Sequence, residues 1–140
     1  MLKKIEHIAV AVADLDAAID LYQRIWGLEV EHREVVEDQG VEEAMLPLGE
    51  SYLQLLAPLT PDSTVGRFVE KRGGGLHHIA YEVEDLQAAL ALLKEGGTSL
   101  IDESPRAGSR GTKVAFVHPK GNMGLLVELV ETPSKKRAGK

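Results

Sequence analysis

No cysteine occurs in the 140 residues, which rules out disulfides, thiolate metal ligation and a cysteine nucleophile. Aromatic side chains are nearly as scarce, with one Trp, three Tyr and two Phe. That leaves little with which to line a binding groove with rings. Long apolar runs are missing too. The first run, "IAVAVA", is followed at once by Asp14 and Asp16, so it reads as neither a signal peptide nor a membrane span. A cytoplasmic protein with no membrane partner is the expectation. Positive charge is also short: 16 Lys and Arg face 22 Asp and Glu, and four of the basic groups crowd into the terminal "PSKKRAGK". Without them the body holds 12 basic against 22 acidic groups, a net charge of about −10 that disfavours nucleic acid as a partner. The tail, 132–140, reads as a solvated, flexible end.

What is present is a folded pattern. The length suits one domain, 1–131, with a real core, and the 44% apolar content argues against disorder. "KIEHIAVAV" reads as a strand. Asp14 is a good N-cap, and Leu15, Ala18, Ile19, Tyr22 and Ile25 follow at helical spacing until Gly27. "LEVEHREVV", "VEEAMLPL" and "SYLQLLAPL" then read as three strands. The connector "TPDSTVGRFVEKRGGG", within 59–75, predicts a capped short helix ending in glycines. The pattern then restarts: strand "LHHIAYEV", cap Asp85, a helix with Leu86, Ala89, Leu90 and Leu93, and a stop at Gly96-Gly97. A short strand "SLI", the loop "DESPRAGSRG", and the strands "KVAFVH" and "GLLVELVE" complete it. The expectation is an α+β fold of two tandem βαβββ modules, about 3–58 and 76–131.

The two modules share more than their order of elements. Set 71 residues apart, "HIAVAVADLDAA" and "HIAYEVEDLQAA" match at eight of twelve positions, and His7 on His78 is one match. A structural repeat needs Ile, Ala, Val and Leu to recur, but not His. Two copies suggest a pseudo-twofold pair contributing equivalent side chains to one cleft. Adjacent strand residues face opposite sides, so His77 and His78 cannot both point into it, and His78 is the counterpart of His7.

The partners of the histidines should lie on the last strand of each module. Gln54 in "SYLQLLAPL" and Glu128 in "GLLVELVE" are polar groups set in apolar runs, costly to bury unless satisfied. His7, Gln54, His78 and Glu128 thus offer two imidazole nitrogens and two oxygens, a set that suits Co²⁺, Ni²⁺, Zn²⁺, Mn²⁺ or Fe²⁺. With one anionic ligand the ion keeps positive charge for a developing oxyanion. A further carboxylate lies in "DQGVEEAML", where either Glu42 or Glu43 faces the cleft and the pattern does not choose. His32 reads as a surface residue. His118 in "FVHPKG" and the cluster Arg106, Arg110, Lys113 and Lys120 are candidates for receiving a phosphorylated substrate handle.

Paired βαβββ modules, each giving one His and one oxygen ligand, resemble the vicinal-oxygen-chelate superfamily. Within it the chain is similar to the methylmalonyl-CoA epimerases, through "HIAVAVADLDAAIDLYQ", "EDQGVEEAMLPLG", "GGGLHHIAYEVEDL", "GTKVAFVHPK" and "GLLVELVE". The resemblance spans about 5–131. It implies a metal-binding cleft with His7, Gln54, His78 and Glu128 as ligands, cobalt as the common metal with Ni²⁺, Zn²⁺ or Mn²⁺ as alternatives, and a homodimer. It also implies that Glu43 is a catalytic base and that an acyl-CoA ester is the substrate, its (S) and (R) epimers interconverted. Inversion needs acid-base groups on both faces of the α-carbon, and Glu43 and Glu128 are the candidates. A glyoxalase I-like isomerase is the nearest rival, but such enzymes typically carry Glu at the position of Gln54. Extradiol dioxygenases typically have four modules. A metal-free binding protein of this fold would lack the ligand set and want more aromatic residues.

Overall fold

The computed structural model describes residues 1–133; the basic residues of the tail lie outside them. The chain forms β1 (Leu2–Ala11), α1 (Leu15–Trp26), β2 (His32–Val36), β3 (Val41–Leu48), β4 (Ser51–Pro58), α2 (Thr64–Arg72), β5 (Gly75–Val83), α3 (Leu86–Glu95), β6 (Arg106–Ala107), β7 (Lys113–Val117) and β8 (Val127–Glu131). No helix among the described residues is long and apolar enough to cross a membrane. Two compact units are distinguished: Ile5–Ala80, and the chain from Tyr81 onward together with Met1–Lys4.

In the Ile5–Ala80 unit the strand order is β2-β3-β4-β1-β5, with β1 and β4 parallel and β2-β3 and β3-β4 antiparallel. Helix α1 begins where the Asp14 side chain accepts from the Ala17 amide at 3.1 Å, and ends at Gly27, whose φ of 70° is free of Cβ strain. Its stripe of Leu15 and Ile19 is buried among Ala44, Leu46, Leu53, Leu55 and Ala57. Each fully buried leucine here contributes about 1.5–3 kcal/mol of apolar transfer. Ile25, expected on the same stripe, is exposed. The opposite sheet face carries Ala9, Ala11, Val36, Val41 and Leu56, closed by Val65 of α2. Strict alternation along β4 thus sends Leu53 and Leu55 to one side and Gln54 and Leu56 to the other.

Helix α2 is capped by Ser63, whose Oγ accepts from the Gly66 amide at 3.0 Å, and it stops at Gly73. Gly74 follows with φ of 106°, and a Cβ there would lie 2.8 Å from the Ala11 carbonyl oxygen. Gly74→Ala is expected to destabilise the fold by roughly 2 kcal/mol or more, combining left-handed strain with a backbone clash. Chemical denaturation of both forms measures it, and equal midpoints would disprove the close approach.

In the other unit the order is β8-β7-β6, with β7 antiparallel to both neighbours. Asp85 caps α3 by accepting from the Ala88 amide at 3.0 Å. Leu86, Ala89 and Leu90 pack against Ala115, Val117, Val127 and Leu129. Three elements differ from the sequence reading. "LEVEHREVV" becomes a strand only from His32, although the Glu31 amide already bonds the Met45 carbonyl at 2.9 Å. "SLI" makes one bridge, Leu100 to Val117, and the short strand of this module is instead Arg106–Ala107, inside the stretch read as loop. "GLLVELVE" pairs only from Val127. In each case the partner strand, not local β propensity, sets where the ladder begins.

Candidate active site

The apolar alternation of β1, β3, β4 and β5 places four polar side chains inside the Ile5–Ala80 unit. His7, Glu43, Gln54 and His78 are 3%, 2%, 6% and 2% exposed. Buried polar groups must be paired or coordinate something, so their partners define the site. Registers align Ala9 with Gln54 and Gln54 with Met45, while Glu43 lies opposite Leu56. Glu43 and Gln54 are therefore diagonal neighbours on one face, and Gln54 Nε2 donates to Glu43 Oε1 at 2.7 Å. That bond turns the amide so that Gln54 Oε1 is a buried acceptor without a hydrogen-bond donor among the described residues.

The histidines meet edge to face, with ring centroids 5.4 Å apart and Nε2 to Nε2 at 3.3 Å. The Nδ1 atoms are engaged elsewhere: that of His7 with Glu6 Oε1, that of His78 with His77 Nδ1 at 2.8 Å. Two imidazole nitrogens turned toward each other, with an orphaned amide oxygen buried on the same unit, are the donor chemistry that a borderline divalent cation takes. In the other unit Glu128 lies on β8 opposite Phe116 and is 4% exposed. His7 and His78 bring two imidazole nitrogens together within one unit. The residues present fit the cation that the sequence resemblance implies.

Glu42 and Glu43 part ways. Glu42 faces outward to Arg33, whose Nε donates to its carboxylate at 2.8 Å while Nη1 donates to Asp16 at 2.8 Å. Those hydrogen bonds, that to Glu42 first, hold the Arg33 guanidinium pKa above its ordinary value. His32 departs from the surface position expected of it. It is half-buried, 2.6 Å from Glu34 Oε1, and His32, Glu34 and Glu43 form a second cluster of potential ligands. The registers Met45 opposite His32 and Glu43 opposite Glu34 put these side chains on one face. The sequence signal was there in the alternation His32, Glu34, Val36. Glu6 was missed as well, although the 71-residue offset sets it against His77.

The proposed phosphate-binding group is dispersed over turns of the other unit. Arg110 occupies a left-handed position at φ 55° in the 3-10 turn Ser109–Gly111. Lys113 opens β7 and is exposed, as is Lys120. His118 Nδ1 accepts from the Lys120 amide at 2.9 Å, so it organises the Pro119–Asn122 turn. Arg106 lies along the Phe116 ring, 5.8 Å from its centroid, with Nε 3.5 Å from Asp102.

Residues 6–116 match the model of the Glyoxalase/Bleomycin resistance protein/Dioxygenase superfamily. The ethylmalonyl-CoA/methylmalonyl-CoA epimerase of Cereibacter sphaeroides is 41% identical over 131 residues, covering 92% of this chain and 98% of its own. The human mitochondrial methylmalonyl-CoA epimerase is 37% identical over 129 residues, covering 91% and 73%. A solved methylmalonyl-CoA epimerase, in complex with methylmalonyl-CoA and NH4+, superposes with a TM-score of 0.92 at 44% identity, covering 96% and 97% of the two chains. The fold is that of the glyoxalase-like, vicinal-oxygen-chelate proteins. Within that superfamily the chain belongs to the methylmalonyl-CoA epimerase family.

Proposed function

We propose that the protein is a metal-dependent isomerase that interconverts (S)- and (R)-methylmalonyl-CoA by removing and returning the α-proton. The observation that carries this reading is the pair of imidazole Nε2 atoms 3.3 Å apart in a unit that also buries the Glu43–Gln54 pair. The names of its relatives support the substrate class, and the epimerase of Cereibacter sphaeroides suggests that an ethyl substituent can be accepted as well.

His7, Gln54, His78 and Glu128 would hold the cation, cobalt by the resemblance, in a cytoplasmic homodimer. The cation supplies a Lewis acid for the substrate oxygen that gains negative charge. The α-proton lies between a thioester carbonyl and a carboxylate, and its removal gives an enolate. Glu43 is the base on one face. Its burial keeps bulk water from the carboxylate, and the Gln54 amide fixes the orientation of that carboxylate. Glu128 serves the other face, which inversion requires. Arg110, Lys113, Lys120 and His118 are assigned to the coenzyme A portion, the cations supported by their contrast with the acidic body. Ile5 of β1 and its repeat counterpart Leu76 of β5 are large apolar groups left exposed, consistent with a covered face in a dimer. The reaction would connect propionyl-CoA with succinyl-CoA metabolism.

The test is proton exchange. The protein, loaded with Co²⁺ and given methylmalonyl-CoA in D₂O, should incorporate α-deuterium and lose optical activity together. Exchange without racemisation would mean that one face alone is served. No exchange with any divalent metal would reject the reading and direct attention to hemithioacetals.

A further inference from the structure

The two ligand histidines are equivalent in the repeat, so the residues before them are equivalent too. These are Glu6 on β1 and His77 on β5. Both engage the Nδ1 of the histidine that follows, and both pairs lie inside the Ile5–Ala80 unit. Glu6 and His7 are each 3% exposed. The His77 ring stands edge-on to Phe68 of α2, centroids 4.9 Å apart, and the Arg72 guanidinium lies 5.5 Å from the centre of that same Phe68 ring. The connector helix thereby holds His77 in place.

We propose that Glu6 and His77 are positioning residues that present the Nε2 lone pairs of His7 and His78 to the cation, and that they do so with unequal grip. The inference rests on the metal reading above. An ionised carboxylate can only accept, so Glu6 keeps a proton on His7 Nδ1 and leaves Nε2 unprotonated for a cation. Its negative charge also makes that nitrogen a stronger donor. An imidazole can accept or donate. In one arrangement His77 Nδ1–H donates to His78 Nδ1, and His78 carries its proton on Nε2. In the other, His78 Nδ1–H donates to His77 Nδ1, and His77 carries its proton on Nε2. Both arrangements contain two protons, so passing between them takes up and releases none. The second presents a lone pair at His78 Nε2. Module one is therefore set for a cation in advance, whereas module two is set when the cation arrives.

The test is the tautomeric state of each imidazole, read from ¹⁵N shifts in the full chain, without metal and with Zn²⁺. His7 should carry its Nδ1 proton in both states, and His78 should carry one on Nδ1 with Zn²⁺ bound. Glu6→Gln should mix the His7 tautomers in the metal-free protein and weaken Zn²⁺ binding by about 10–100-fold. His77→Phe should weaken it by about 10-fold, and His77→Gln, which can still donate or accept, should recover most of that loss. Parent-like affinity and shifts in both Glu6→Gln and His77→Phe would overturn the inference while leaving the metal reading intact. A parent His7 without a proton on Nδ1 would overturn it without recourse to any variant. Failure of the parent to bind any divalent ion would defeat the metal reading and this inference together.

Discussion

Glu43→Gln is expected to slow α-proton exchange and racemisation of methylmalonyl-CoA by about 10²–10⁴-fold, the usual worth of a positioned general base. The substitution is close to isosteric. The new amide oxygen can still accept from Gln54 Nε2, which now donates to Glu43 Oε1 at 2.7 Å. The fold should therefore hold, with stability changed by no more than about 1 kcal/mol. What is lost is an oxygen able to take a proton. Glu42→Gln is the matched control, because that side chain points away and is bound by Arg33. It should leave the rate within about threefold of the parent, as surface ion pairs contribute little. Deuterium incorporation at saturating substrate, followed by mass spectrometry, reads both. A Glu43→Gln rate equal to that of the parent would remove Glu43 from the chemistry.

Loss of a ligand should be as costly. His78→Ala is expected to abolish measurable exchange and to bring the protein to the level that a chelator leaves in the parent. A cation that binds the folded chain at 100 times its dissociation constant stabilises it by about 2.7 kcal/mol. The parent should therefore melt at a higher temperature with added Co²⁺, and the variant should gain little. Deleting the ring also removes the 3.3 Å contact with His7 and the 2.8 Å contact with His77. Metal-free melting of the variant separates that packing loss from the loss of the ion. An equal rise in melting temperature on adding Co²⁺ to both proteins would show that His78 is not a ligand.

Much of this architecture is legible in the chain because its causes are local. Asp14 and Asp85 cap helices because a short carboxylate reaches an amide three residues on, whatever lies elsewhere. Gly27 and Gly73 stop helices because φ near +70° is open to glycine. The 71-residue repeat located His7 and His78, and strand alternation put Gln54 on the face opposite Leu53 and Leu55.

Tertiary structure decided whatever depends on a partner distant in sequence. The two-residue strand at Arg106 exists because Val114 is there to pair with it, and nothing in "RA" itself signals a strand. Glu42 and Glu43 are the same side chain in neighbouring positions; Arg33 outside and Gln54 inside make them different. His32 looked solvated until the register with β3 set it and Glu34 beside Glu43. Alternation predicts opposite directions for His77 and His78, yet their Nδ1 atoms meet at 2.8 Å, with Phe68 of the connector helix against the His77 ring. Periodicity determines which face a side chain leaves from. Only the packed structure determines what it meets there, since hydrogen bonds are made by atoms and registers rather than by residue types.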